Sequence, residues 1–158
     1  MKKNIQLVKG THDIYGDEIK KFNFIIEKFY SVSEKFNFHQ VQTPIIEHQD
    51  LFTRSVGEHT DIVSKEMYSF TDKGDSTICL RPEATSSIAR LVASEYQSGT
   101  MKLSTHGPMF RRERPQKGRY RQFHQINLEN MGEKSPYLDF EIILIAYNLL
   151  NELGIDKK

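Results

Sequence analysis

The chain has 158 residues, 22 Lys and Arg against 21 Asp and Glu, and 37% hydrophobic residues. That length and balance predict one ordinary domain, or part of one, with a modest core, and a net charge of +1 gives no global footprint of nucleic-acid binding. A single cysteine, Cys79, excludes an intramolecular disulfide framework and a cysteine zinc site and fits a reducing cytoplasm. The start, Met1 to Leu7, has too short an apolar run for a signal peptide, and no stretch reaches the roughly 18 apolar residues that span a bilayer. A soluble, cytoplasmic chain without a membrane partner is expected.

From Asp17 to Phe36, the residues Ile19, Phe22, Ile25, Ile26, Phe29, Val32 and Phe36 form a stripe at helical spacing and predict an amphipathic helix. Phe38 to Glu47 reads as one strand, with Pro44 marking an edge or an end because it cannot donate to a ladder. Glu66 to Phe70 and Thr77 to Arg81 flank the polar, Gly-containing run 71–76 and predict a β-hairpin. Pro82 is expected to open a helix reaching about Tyr96. Met101 to Thr105 is expected to add a short strand. Asp139 to Leu153 is apolar around most of its circumference and ends at Gly154, which predicts a buried helix with a glycine C-cap. Helices at both ends with hairpins between them indicate an α+β fold with a mainly antiparallel sheet.

The segment between Phe110 and Gln125 concentrates charge where the pattern predicts sheet. Six basic residues fall between Arg111 and Arg121. At period 2, Met109, Arg111 and Glu113 share one strand face, and Phe123, Gln125, Asn127 and Glu129 share a face of the next. Phe110, Ile126 and Leu128 fall on the opposite, inward faces. The loop from Pro115 to Tyr120 carries Lys117, Gly118 and Arg119, suited to close approach by a polyanion such as a nucleoside triphosphate. Ordinary cross-strand ion pairs would also explain the charges. An aromatic ring and a lone amide among them favour a ligand site.

The string Phe110-Arg111-x-Glu113-Arg114-Pro115, followed by Gly118-Arg119-Tyr120-Arg121-Gln122-Phe123-His124-Gln125, closely resembles motif 2 of the histidyl-tRNA synthetases, a family of class II aminoacyl-tRNA synthetases. Lys9-Gly10-Thr11-His12-Asp13, Thr43-Pro44-Ile45-Ile46-Glu47 with Leu51-Phe52, and Leu80-Arg81-Pro82-Glu83-Ala84-Thr85 resemble the family in order and spacing. The resemblance covers nearly the whole chain. It implies a class II catalytic core over 1–158 with motifs 1 and 2, and a homodimer formed through the Pro44 strand; a plain edge-strand proline is the alternative. It also implies ATP-dependent activation of L-histidine to histidyl-adenylate and transfer to tRNA(His).

Such a reaction needs no protein nucleophile, since the histidine carboxylate attacks the α-phosphorus and catalysis rests on positioning and charge neutralisation. By the resemblance, Arg111 is the catalytic arginine, bridging the α-phosphate and the attacking carboxylate. Arg119 holds the distal phosphates, Glu113 addresses the adenine end and Phe123 stacks on adenine. Histidine is held by Glu83, Thr85 and Gln125 at its amino end, by Arg111 at its carboxylate and by Glu129 at its ring. Glu83 is also placed to favour a helix N-terminus electrostatically. Lys117, Tyr120 and Arg121 are left to loop structure or to the tRNA acceptor end. Magnesium is expected with ATP, but no cluster of metal ligands stands in the sequence, so no protein ligand is assigned.

Two departures qualify the resemblance. Asn127 stands where the family usually has glycine, and motif 3 and an anticodon-binding domain would follow beyond Lys158. Each missing phosphate contact costs on the order of 1.5–3 kcal/mol, so weak binding, slow activation and negligible charging are expected of these 158 residues alone. The alternative reading is a noncatalytic, synthetase-like regulatory or dimerisation module. Regulatory relatives lose the nucleotide-handling charges, whereas Arg111, Glu113 and Arg119 all stand here.

Overall fold

A computed structural model of the chain describes residues 4–58, 60–95 and 98–155. Its elements run α1 (Asp17–Glu34), β1 (His39–Gln40), β2 (Ile46–His48), α2 (Gln49–Val56), β3 (Tyr68–Thr71), β4 (Thr77–Leu80), α3 (Thr85–Glu95), β5 (Met101–Phe110), β6 (Gln122–Met131) and α4 (Pro136–Glu152), with a π-helical turn at Ile62–Glu66. Two three-stranded sheets form, in the orders β1-β5-β6 and β2-β4-β3. β4 pairs antiparallel with both β2 and β3, while β1 runs parallel to β5. The class is α+β, as the element pattern predicts.

Two compact units divide the chain. The first gathers 1–14, 44–87 and 108–125. Its core holds Phe52, Cys79, Ala84 and Met109, each fully buried. On the β2-β4-β3 sheet the register places Ile46, Leu80 and Tyr68 abreast, and His48, Ile78 and Phe70 abreast two residues on. Because side chains alternate across a strand, these six share one face, and Glu47, Cys79 and Ser69 share the other. On the second face Cys79 is buried, Glu47 half-buried and Ser69 exposed, while on the first Ile46 is 52% and Phe70 45% exposed, so the burial of the sheet is deepest at Cys79 and the apolar face is half open.

The second unit gathers 15–43, 88–107 and 126–158. Val32 of α1, Phe38 and Ile145 of α4 form a buried cluster, with Phe36, Leu128 and Ile142 packed against it. Lys28 Nζ reaches Glu152 Oε2 at 2.8 Å, joining α1 to α4. Acidic Asp17 and Glu18 stand in the first turn of α1, where the helix dipole favours them.

The structure corrects the expected elements at several points. The strand expected over Phe38 to Glu47 is two short strands, one in each sheet, broken around an exposed Pro44 that has no N–H to carry a ladder onward. Glu66 belongs to the π-helical turn rather than to β3, which starts at Tyr68. Pro82 precedes α3 instead of opening it, and Tyr96 lies outside the described residues. β5 reaches Phe110, twice the expected length, because neither Gly107 nor Pro108 interrupts it. The helix α4 is buried only along one side, at Ile145 and Leu149, while Phe140, Ile143, Tyr147 and Leu150 are exposed. Ile25 of α1 and Ile126 of β6, both expected to face inward, are also exposed. Along β6 Phe123, Gln125 and Asn127 are half-buried, and so is every position from Leu128 to Met131.

Candidate active site

The charged segment folds as the expected hairpin. Arg111 N–H donates to Arg121 O at 3.0 Å, and beyond that rung Gln116 and Arg119 bond reciprocally through their backbones at 3.3 and 2.9 Å. Lys117 and Gly118 make the turn, with Gly118 at φ 81°, a backbone region that a β-carbon disfavours. Since β5 ends at Phe110, Arg111 and Glu113 stand just past the strand rather than on its face as expected.

Three contacts orient Arg111. Its Nε donates to Pro82 O at 2.9 Å, its guanidinium carbon lies 5.1 Å from the Phe123 ring centroid, and its Nη1 is 3.9 Å from Glu113 Oε1. The last is a long ion pair with little hydrogen-bond character. The carbonyl and the ring therefore set the geometry, leaving the terminal nitrogens with donors to spare. Glu113 is also approached by Arg119, whose Nη1 lies 3.2 Å from Oε2 without the alignment of a hydrogen bond. Arg119 is 64% exposed, so this pair is worth at most about 1 kcal/mol.

Glu83, Thr85 and Gln125 also belong to the first unit. Both oxygens of Glu83 accept from Ser86 N–H, at 3.1 and 3.3 Å, which confirms its electrostatic place at the start of α3. Thr85 is exposed on the first turn of the same helix. Gln125 Oε1 is shut off from solvent yet accepts no hydrogen bond from the described residues, an uncompensated polar atom. The structure thus brings Arg111, Glu113, Arg119, Phe123 and the Pro82 carbonyl together. Glu129 lies on β6 in the second unit. Phe123 has one face occupied by Arg111, so a base stacked on it would use the other.

Sequence reasoning passed over two contributors. Arg81 is only 3% exposed, and its Nε donates to Pro108 O at 3.1 Å. Its backbone also bonds to Ile45 O and to Phe110 N–H, so one residue ties three segments together beneath the site. Burial lowers its guanidinium pKa, offset in part by Glu47. The second is the backbone of Arg112, whose N–H donates to Glu66 O at 2.6 Å and anchors the hairpin's rising arm. A buried arginine in a run of apolar residues was a readable signal; a backbone bond was not.

Among the described residues no group of three or more His, Cys, Asp and Glu is placed to hold a metal ion, and no helix is long and apolar enough to cross a membrane.

Comparison with known proteins is consistent with this geometry. A family model described as histidyl-tRNA synthetase matches residues 10–158. The chain is 49% identical over 152 residues to a histidine–tRNA ligase from Novosphingobium aromaticivorans, an alignment covering 95% of this chain and 36% of that protein. A histidine–tRNA ligase from Wolbachia pipientis wMel is 48% identical over 152 residues, covering 96% and 37%. The chain therefore spans little more than a third of the length of the curated relatives it matches. Among solved structures, the apo histidyl-tRNA synthetase of S. aureus superposes with a TM-score of 0.79 at 32% identity, over 96% of this chain and 35% of that one. An ATP phosphoribosyltransferase regulatory subunit/histidyl-tRNA synthetase from Bacillus halodurans has a TM-score of 0.82 at 23% identity, over 98% and 40%, and so shares the fold. With the family model matching residues 10–158 of this chain and such relatives beside it, the chain belongs to the histidyl-tRNA synthetase family.

Proposed function

We propose that this chain carries the adenylate-forming site of a histidine–tRNA ligase: the part that binds ATP and L-histidine, joins them as histidyl-adenylate and releases pyrophosphate before transfer to tRNA(His). The observation that carries the reading is Arg111, held by Pro82 O and the Phe123 ring, its terminal nitrogens engaged only by a long ion pair of 3.9 Å to Glu113. In the step proposed, a histidine carboxylate oxygen forms a bond to the α-phosphorus while the bond from that phosphorus to the pyrophosphate oxygen breaks. Charge grows on the equatorial oxygens, and a fixed guanidinium between the carboxylate and the phosphate lowers that cost.

The remaining roles follow from position. Arg119 exchanges its weak pair with Glu113 for the distal phosphates, and Glu113, released, accepts from the adenine end. Phe123 offers its second face to the base. Glu83 keeps lone pairs beyond the bond from Ser86, and with Thr85 and the unpartnered oxygen of Gln125 receives the histidine ammonium. Glu129 is assigned to the imidazole. Magnesium is expected to arrive with ATP; among the described residues no group of three or more His, Cys, Asp and Glu is placed to hold it.

A homodimer and a cytoplasmic location belong to the same proposal. The first is supported by the half-open apolar face of the β2-β4-β3 sheet around Ile46 and Phe70. The second rests on a lone, buried, unpaired cysteine. Because the fold is shared with a regulatory relative, fold does not separate ligase from regulator; the retained charges of Arg111, Glu113 and Arg119 favour the ligase.

The test is histidine-dependent exchange of labelled pyrophosphate into ATP, alongside ATP titration, for the chain and for Arg111→Ala. The substitution is expected to remove exchange and to weaken ATP binding by about 1.5–3 kcal/mol. ATP affinity unchanged by Arg111→Ala would remove the central role given to that residue.

A further inference from the structure

The run Lys9-Gly10-Thr11-His12-Asp13 resembles the family, yet none of the roles above falls to it. In the structure it lies against the charged hairpin. Gly10 O accepts from Arg121 N–H at 2.7 Å, and two residues on, the His12 ring sits 4.6 Å from the Tyr120 ring at an interplanar angle of 43°. Thr11 folds the segment on itself, its N–H and Oγ1 both donating to Val8 O at 3.0 and 2.7 Å. Gly10 has φ 87°, and a β-carbon there would lie 2.9 Å from Arg121 Cγ and 3.0 Å from Pro115 Cγ. Two independent demands therefore exclude a side chain at position 10: the left-handed backbone and the space taken by both shoulders of the loop.

Pro115, Tyr120 and Arg121 bracket the turn that displays Arg119. Two reciprocal backbone bonds close its tip, and a hairpin this small is marginal without outside support. We propose that the segment from Gly10 to His12 is a strap that positions the loop, so that the grip of Arg119 on an anionic phosphate depends on residues that never touch the ligand. Gly10 and His12 are thus positioning residues. The inference rests on the reading of Arg119 as a phosphate ligand, and it deepens that reading by naming what holds the loop in place.

The experiment uses the full chain with Gly10→Ala, Arg119→Ala and the double variant, following ATP affinity, thermal midpoint and trypsin cleavage after Lys117 and Arg119. Gly10→Ala is expected to speed cleavage at the loop and to lose about tenfold in ATP affinity, the scale of one charge-assisted contact. In the Arg119→Ala background the same change is expected to cost no further affinity, which a merely destabilising substitution would not reproduce. His12→Ala gives a milder second arm should Gly10→Ala fold poorly, and His12→Phe, keeping a ring against Tyr120, is expected to restore the loop. Additive losses in the double variant, or cleavage and affinity unchanged in both Gly10→Ala and His12→Ala, would overturn the strap. Faster cleavage in a chain that binds no ATP would instead support the strap and remove the phosphate role of Arg119.

Discussion

Arg111 stands at the base of the hairpin and Arg119 at its tip, and their surroundings differ as much as their places. Arg111 is only about one-fifth exposed and is fixed by a carbonyl and a ring, so replacing it removes a preorganised cation. Arg119 is largely exposed and paired weakly, so Arg119→Ala is expected to leave the thermal midpoint nearly unchanged, a stability effect within about 0.5 kcal/mol, while ATP titration shows a clear loss of affinity. Cys79 illustrates burial acting without a ligand. Its thiol is fully enclosed, with Glu47 close by, and desolvation pushes its pKa up to about 11. Iodoacetamide at pH 8 is therefore expected to modify the folded chain far more slowly than the chain in urea, as mass spectrometry would show. The sign follows from which state ionises first. An unfolded thiol loses its proton near its ordinary value of 9.0 and the folded one only near 11, so the unfolded state binds fewer protons in that window and stability falls as pH rises through it.

At the scale of elements, α4 shows most plainly what a sequence can and cannot specify. Its end was legible. Gly154 N–H donates to Asn151 O and Ile155 N–H to Leu150 O, the reciprocal pattern of a Schellman cap, with Gly154 at φ 70°. A β-carbon at 154 would meet nothing within 4 Å, so Gly154→Ala isolates the backbone cost. About 1 kcal/mol of stability is expected to be lost, measurable by urea denaturation with the slope unchanged. The surroundings of α4 were not legible. Apolar residues on both sides of a helix state that both sides can be covered, not that this chain covers them, and here only the Ile145–Leu149 side is buried. The same limit governs the strands. The polar, Gly-containing run 71–76 marked the β3–β4 hairpin because its pairing is local. The split of the Phe38–Glu47 run depends on partners far away in sequence, β5 for one half and β4 for the other. In the site, residue chemistry located Arg111, Glu113, Arg119 and Phe123 in one cluster. The acceptor that orients Arg111 is a backbone carbonyl, Pro82 O, and a carbonyl carries no sequence signature.

For the whole molecule, the open question of assembly reduces to a comparison of two apolar surfaces. One is the face of the β2-β4-β3 sheet that carries Ile46, Tyr68, Phe70, Ile78 and Leu80. The other is the outer stripe of α4, with Phe140, Ile143, Tyr147 and Leu150. Both expose several large apolar side chains by two-fifths or more, Ile46 and Phe70 on the first and Phe140, Ile143, Tyr147 and Leu150 on the second. A two-fold pairing suits the sheet face better, because β2 and β3 are its edge strands and an edge presents unpaired N–H and C=O groups beside the apolar residues. Pro44 stands next to β2 and limits how far such an edge can extend, which favours a closed pair over an open stack. Sedimentation velocity across a concentration series is therefore expected to show a dimer that Ile46→Glu or Phe70→Glu converts to a folded monomer. Ile143→Glu, on the other surface, is expected to leave the dimer intact. A dimer broken by Ile143→Glu and indifferent to Ile46→Glu would move the interface to α4 and leave the half-open sheet without a role in self-association.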